Sequence, residues 1–371
     1  MMAFNTYVKQ LQRDRAALRT DSHEYDYLRD EIAVRLVDRL YDINRSHFPV
    51  TVDIGANTGN IYKALVKTQL IEKIQTLHMI DSSKHMLYRD YNEWKQYTSP
   101  TTNNNHNTSS SLSIIPHVQS LESQLLPLSD QSVDLVLSSC SLHWINDLPK
   151  VLSEIKRILK PDGIFLGAML GGDTLSELKD SFYKADMKLY GGISPHISPM
   201  VGIADAGNLL SNAGFGIPTV DTDIFTIEYP TPYSLYHHLQ RMGENNASLS
   251  TRSGIHKSLF RLTADIYATT YGTIHNKIED NPNKINTNTT SSTTSSSSSS
   301  LSNDSSVTII LNSGESTPVP ATYQIIYMIG WAPAPTQPLP KARGSVPKGF
   351  GMRKTTKTSA NTTTKPENSS T

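Results

Sequence analysis

Apolar residues recur along this chain with two different periods, and stretches of the two kinds alternate. Over Glu31–Tyr41 (EIAVRLVDRLY) the side chains of Ile32, Leu36, Val37 and Leu40 share one helical face and the charged residues take the other, which predicts an amphipathic helix. VTVDIGANTGN (50–60) follows as a short apolar run that breaks into glycines, and Ile61–Val66 resumes the helical spacing. LHMID (77–81), VDLVLSS (133–139) and GIFLGAML (163–170) are near-continuous apolar runs of strand length. A helical pattern at LPKVLSEIKRILK (148–160) and a PDG turn precede the last of them. Strands flanked by helices and apolar on both faces predict a doubly wound, Rossmann-like α/β sheet with parallel strands. Two more strand-like runs, VDTDIFTIEY (220–229) and ATYQIIYMIGW (321–331), enclose helical patterns at LYHHLQRMG and SLFRLTADIYATTYG.

Composition changes this picture in one respect. Only 37% of the 371 residues are hydrophobic, fewer than an ordinary domain carries. The shortfall is local. Ser/Thr/Asn-rich tracts occupy 98–113 and 286–306, the second with an unbroken serine run from Ser295 to Ser300, and a Pro/Lys/Gly/Thr-rich tail follows from 332. None of the three can bury enough apolar surface to offset its ordering entropy, so all three are expected to be disordered. The expected organisation is a basic segment over 1–24, one domain over 25–331 with two insertions, and a tail over 332–371.

Lys+Arg and Asp+Glu both number 34. Zero net charge argues against a protein built to bind the phosphate backbone of nucleic acid. The single cysteine, Cys140, excludes a disulfide framework and any multi-cysteine zinc or iron–sulfur site. No run approaches the roughly 20 apolar residues of a membrane-spanning helix. Lys9, Arg13, Arg15 and Arg19 against Asp14 give the start a mildly presequence-like character, which on residues alone leaves targeting open.

Chemistry concentrates where the first strand ends. Asp53, Gly55 and Gly59 form a D-x-G-x-x-x-G turn, whose glycines let the backbone approach a ligand and enter the following helix. It has neither the G-x-G-x-x-G spacing of dinucleotide binders nor the Lys-Ser/Thr of a P-loop. Asp81, 22 residues after Gly59, ends the second strand, where a carboxylate can accept both hydroxyls of a ribose.

These residues resemble the class I S-adenosylmethionine-dependent methyltransferases. Asp53-Ile54-Gly55-Ala56-Asn57-Thr58-Gly59 matches that family's first motif with Asn57 in place of the middle glycine, and asparagine tolerates a left-handed backbone. The resemblance implies a seven-stranded sheet whose sixth and seventh strands are antiparallel. It also implies S-adenosyl-L-methionine held by Asp53, Gly55, Asn57, Gly59 and Asp81, with Glu122 as the third acid near the adenine. A more specific resemblance runs from about Phe4 to Trp331. FNTYVKQLQRDRAALR, SLHWINDLP, LKPDGIFLGAMLGGDTLSEL, GGISPHISP, LQRMGENNA and VPATYQIIYMIGW resemble the mitochondrial complex I assembly factor five family. That likeness implies an arginine hydroxylase acting early in complex I assembly on an iron–sulfur subunit, in the mitochondrial matrix and peripheral to the inner membrane. It also places FNTYVKQLQRDRAALR at the start of the mature protein, so that the chain either begins downstream of the true initiator or is imported by an internal signal.

His143 after the fourth strand, Asp173 after the fifth and His196 in SPHISP are the catalytic candidates, each at the carboxyl edge of the sheet. Each has a plainer reading: His143 and Trp144 capping a pocket, Asp173 capping a helix, His196 bracing a proline-flanked loop. Tyr233, Tyr236 and His237 are lid or packing residues, Cys140 a small buried side chain, and Arg13 and Arg15 partner-steering groups or a solvated helix face. No H-x-D pair opens a two-histidine iron site, so no metal is expected from the residues, and the oxidant for a hydroxylation is not identified. Two alternatives stay open: a methyltransferase for a small acid or carrier-bound thioester, and a non-catalytic assembly chaperone.

Overall fold

A computed structural model describes residues 2–98, 112–122, 125–250, 256–272, 306–310 and 318–337, the strand at 306–310 by its backbone alone. The tracts at 98–113 and 286–306 and the tail lie almost wholly outside these residues. Met1–Pro335 form one compact unit. Within it the basic start is built in: Thr6–Ala17 are helix α1, capped where Asn5 Oδ1 accepts the Val8 N–H at 3.0 Å.

The chain continues through α2 (Tyr27–Asp38), β1 (Val50–Ile54), α3 (Asn60–Lys67), β2 (Thr76–Asp81), α4 (Lys84–Tyr88), α5 (Tyr91–Trp94), β3 (Ser113–Val118) and β4 (Val133–Ser139). Then come α6 (Leu148–Ile158), β5 (Leu159–Leu170), α7 (Ser176–Tyr190), α8 (Ile203–Ala213) and β6 (Gly216–Tyr229). α9 (Pro232–Met242), α10 (Lys257–Tyr271), β7 (Ser306–Ile310) and β8 (Val319–Trp331) complete it. The strands form one sheet in the order β3-β2-β1-β4-β5-β8-β6-β7. The expected seven strands are present, and β7 adds an eighth at the edge, parallel to β6. The strands expected to be the antiparallel sixth and seventh, β6 and β8, do pair antiparallel; β8 is wedged between β5 and β6 and runs against both, so β6 runs in the same direction as β5.

The period-2 pattern of the strands feeds two cores. On β5, Ile164, Leu166 and Ala168 face one core with α2, α3 and α7, while Phe165 and Met169 face the other with α6 and α8. β8 divides likewise, Tyr323, Ile325 and Tyr327 against Ile326 and Met328. The predicted stripe of Ile32, Leu36 and Val37 on α2, with Leu40 in the 3-10 turn that follows it, is at most 1% exposed, each such side chain contributing roughly 1.5–3 kcal/mol. Covering both faces leaves the carboxyl ends of β1, β2, β4 and β5 as the open edge, and α1 lies across it.

A candidate cofactor cleft and substrate cavity under the first helix

At that edge the chain must turn sharply after Ile54. Gly55 has φ +69° and Gly59 φ +79°, and a Cβ on Gly55 would sit 1.9 Å from Ser141 Oγ. Gly55 and Ala56 both donate backbone N–H groups to Ile80 O, at 2.8 and 3.0 Å, which ties the turn to the end of β2. Asn57 takes the left-handed φ of 50° that the turn demands. Its amide donates to Gly55 O and Ser139 O, at 2.9 and 3.1 Å, so the residue also braces the exit of β4.

Two acids face this turn. Asp81 accepts backbone N–H groups from Asn57 (2.9 Å) and Ser83 (2.7 Å). Arg13, reaching down from α1, adds two hydrogen bonds to the same carboxylate, at 2.8 and 2.7 Å, and another to Asn57 Oδ1 at 2.7 Å. Arg13 is thus no solvated or partner-steering residue but is buried. Burial opposes its charge, yet Asp81 raises its pKa above the ordinary arginine value. Asp53 is fully buried with no hydrogen-bond partner on either oxygen. Burial, helped by the charge of Asp81, raises its pKa well above the carboxylate range.

A cavity of about 200 Å³ remains between α1 and the edge, bounded by Arg13, Ser82, Glu122, Cys140 and Ser141. Glu122 reaches it from the segment after β3, and its carboxylate also accepts the Asn146 backbone N–H. Cys140 is buried with φ 51°, and burial pushes its thiol up to about 12, which matches the unreactive reading.

Trp144 lines this space and also a second, larger cavity of about 690 Å³. Between them lies a buried charge cluster absent from the sequence expectations. Glu244, just beyond α9, accepts from Arg29 at 2.6 Å and from Trp144 Nε1 at 2.7 Å, and His143 Nε2 lies 3.5 Å away. Burial alone would raise the Glu244 carboxyl, but the His143 hydrogen bond and the charges of Arg29 and Lys9 hold it well below the carboxylate range. His143 is itself buried, and desolvation lowers its pKa. Lys9 lies 3.3 Å from the centre of the Trp144 ring and donates to Gly243 O and Asn245 O, at 3.0 and 2.6 Å.

The three catalytic candidates occupy different places. His143 reaches the larger cavity only through Glu244, which lines it. His196 lines the cavity directly, its Nε2 2.8 Å from Asp186 Oδ2 and its ring stacked on Phe182 at 4.6 Å. Asp173 is exposed and accepts from Gln324 Nε2 at 2.9 Å, apart from both histidines; the residue preceding α7 is Leu175, so Asp173 does not cap that helix either. Of the lid candidates, Tyr236 and His237 line the cavity and Tyr233 points to solvent. Lys9, Arg29, Asp186 and Glu244 were not anticipated. Glu244 was visible only as part of the LQRMGENNA block, and the pairing of the others depends on distant segments.

Among the described residues one group, His23, Asp26 and Asp90, brings three possible metal-ligand atoms within 4.8 Å of one another. Its carboxylates are already matched by cations: Arg89 pairs with both, and Lys63 lies 2.5 Å from Asp90.

Residues 52–167 match the family model described as a methyltransferase domain. The chain is 39% identical over 351 residues to arginine-hydroxylase NDUFAF5, mitochondrial, of Dictyostelium discoideum, which covers 94% of this chain and 70% of that one. It is 35% identical over 349 residues to the human protein of the same name, covering 94% and 82%. It is also 30% identical over 274 residues to the malonyl-[acyl-carrier protein] O-methyltransferase of Xylella fastidiosa (strain M23), covering 72% and 81%.

Proposed function

The chain belongs to the family of the mitochondrial arginine-hydroxylase NDUFAF5, and from that premise we propose that it hydroxylates an arginine side chain in an iron–sulfur subunit of respiratory complex I, early in assembly. The observation that carries this reading is similarity at 35–39% identity along 94% of the chain. It is a mitochondrial protein on the same grounds, working in the matrix against the inner membrane. No described helix is long and apolar enough to cross a membrane, which is compatible with peripheral attachment.

S-adenosyl-L-methionine is the cofactor proposed for the glycine turn and the smaller cleft beside it. The donor chemistry suits it: Arg13, Glu122 and Ser141 line the cleft, and Asp81 and Asn57 are buried under the Arg13 hydrogen bonds. Asp81 is a bidentate acceptor suited to a ribose diol, Asp53 offers two unpartnered oxygens to a cationic ammonium group, and Gly55, Asn57 and Gly59 bring backbone close. Glu122, which lines the smaller cleft, is the acid assigned to the adenine in this reading. Arg13 occupies the diol acceptor, so binding requires exchange of its hydrogen bonds for those of the ribose. When bound, the cofactor supplies a sulfonium group with an electrophilic methyl. Hydroxylation adds an oxygen atom and draws on an oxidant that side chains do not provide. The work of this chain's own residues is therefore to position the arginine, exclude water and hold charge, with Glu244, His143 and Lys9 forming the polar wall between the two cavities.

The similarity to the malonyl-carrier methyltransferase favours a second reading, methyl transfer to a carrier-bound acid, but it covers 72% of the chain rather than 94%. Mass spectrometry of the iron–sulfur subunit from cells lacking this protein separates hydroxylation from a non-catalytic assembly role. Loss of the arginine modification is expected; a normal modification with failed assembly would leave a chaperone. For the cleft, titration calorimetry with S-adenosylhomocysteine is expected to give binding that Asp81→Asn weakens about tenfold or more, the scale of a lost charge-assisted pair of hydrogen bonds. Unchanged affinity would remove the cofactor assignment.

A further inference from the structure

The larger cavity has an unusual division of polar and aromatic groups. Its only carboxylate among the described lining residues is Glu244, and that charge is already engaged by Arg29, Trp144 and His143. A cationic guest therefore finds no free counter-ion. It finds rings instead. Tyr236 on α9 and Phe260 on α10 stand 5.7 Å apart at 71°, and Phe182 on α7 closes the cluster, 6.3 Å from Tyr236 and 5.9 Å from Phe260. Aromatic faces attract cations, and a planar guanidinium stacks on them better than an ammonium does.

Beside the rings stands one held acceptor. Phe182 and Asp186 are four residues apart on α7, so both project from the same side of the helix. Phe182 stacks on the face of His196 and Asp186 holds its Nε2 edge, which fixes the ring in both plane and rotation. The Ser194 backbone N–H donates to the same Asp186 oxygen at 2.9 Å. In the tautomer whose Nε2–H donates to the carboxylate, the lone pair is on Nδ1, which can then accept. That nitrogen has no hydrogen-bond partner, and His196 is only 3% exposed by side chain. Tyr236 Oη is likewise buried and unpartnered. Unsatisfied buried polar atoms are costly, and here both belong to residues that line one cavity.

We propose that this cavity binds the substrate arginine through an aromatic box, the guanidinium lying against Tyr236 and Phe260 and donating an N–H to His196 Nδ1, a placement that rests on the arginine-hydroxylase reading. Asp186 and Phe182 are then positioning residues that hold His196 in register. A carboxylate clamp is not used, which makes the site selective for a planar cation rather than for positive charge in general.

The test uses the full chain with two small probes, Nα-acetyl-arginine methylamide and its neutral citrulline counterpart, whose affinities are measured by ligand-observed NMR. Phe260→Leu removes one ring at a position that is 37% exposed. The variant His196→Phe removes the acceptor while Asp186 keeps the Ser194 backbone N–H as its donor. Wild type is expected to prefer the arginine probe about tenfold. Each variant should lose about tenfold in arginine affinity and most of that preference, while melting temperature and S-adenosylhomocysteine affinity stay as in wild type. If both variants retain wild-type affinity and selectivity, the box is overturned and the arginine-hydroxylase reading stands. Equal or absent binding of the two probes by the wild type overturns the arginine reading at this cavity as well.

Discussion

Lys9 has the least secure charge of the buried cations in this cleft. Its Nζ lies between two carbonyls and over the face of Trp144. Burial, only partly offset by Glu244, pulls its pKa down from 10.5 to about 7. The folded state therefore binds fewer protons at Lys9 than the unfolded chain between about pH 7 and 10.5, so this residue's contribution to stability rises with pH across that window and is lowest below it. Comparing wild type with Lys9→Met by denaturant titration at pH 6 and pH 9 should show wild type gaining relative to the variant at the higher pH. The expected slope is on the order of 1 kcal/mol per pH unit above pH 7; a difference independent of pH would mean that Lys9 keeps its charge throughout. At this scale the places of Asp53 and Asp81 at the ends of β1 and β2 were legible, because the apolar runs that carry them mark those strands. Arg13 was not. In sequence it is one of several cations on a helix, and only its pairing with an aspartate 68 residues away makes it a buried partner.

Among the elements, the turn after β1 is the most constrained. Gly55 combines a left-handed φ with a Cβ position already filled by Ser141 Oγ and Cβ, at 1.9 and 2.2 Å. Gly55→Ala is expected to cost roughly 1–3 kcal/mol through backbone strain and displacement of Ser141, read as a lower denaturation midpoint together with weaker S-adenosylhomocysteine binding. A wild-type midpoint would show that the turn yields easily. The same sharp turn was readable as a glycine motif, and the amphipathic stripe of α2 and the apolar runs of β1, β2, β4 and β5 were readable by period. β3 and β7 were not. SIIPHV carries a proline and adjoins a polar tract, and SVTII follows a serine run, so neither has a pattern long enough to stand out. The antiparallel pairing of β6 with β8 came from the family resemblance and not from period, since β8 enters between β5 and β6 from 90 residues later in the chain.

Across the whole molecule, α1 and the segment after α9 form a strap over the open edge of the sheet. Asn5 N donates to Ala247 O at 2.8 Å, Gln12 Nε2 to Asn246 O at 3.2 Å and Gln10 Nε2 to Ser82 O at 3.1 Å, while Arg13 and Lys9 anchor the helix below. A chain beginning at Asp21 loses both anchors and leaves Asp81 buried without its cation. Breaking a buried pair costs about 3–5 kcal/mol, so calorimetry should show the melting temperature lowered by roughly 5–10 °C; an unchanged value would mean that the strap contributes no stability. The alternation of β1, β2, β4 and β5 with helices, their two apolar faces and the glycine–acid motif follow from the sequence alone, because each depends on local period or on spacing of a few residues. The tertiary structure alone decided that a basic amino-terminal helix lies over the Asp81 carboxylate, that Glu244 gathers Arg29, His143 and Trp144, and that Asp186 and Phe182 orient His196. Each of those depends on charges and rings brought together from separate elements, and their burial, which sets their protonation and their strength, exists only once the sheet edge has been covered.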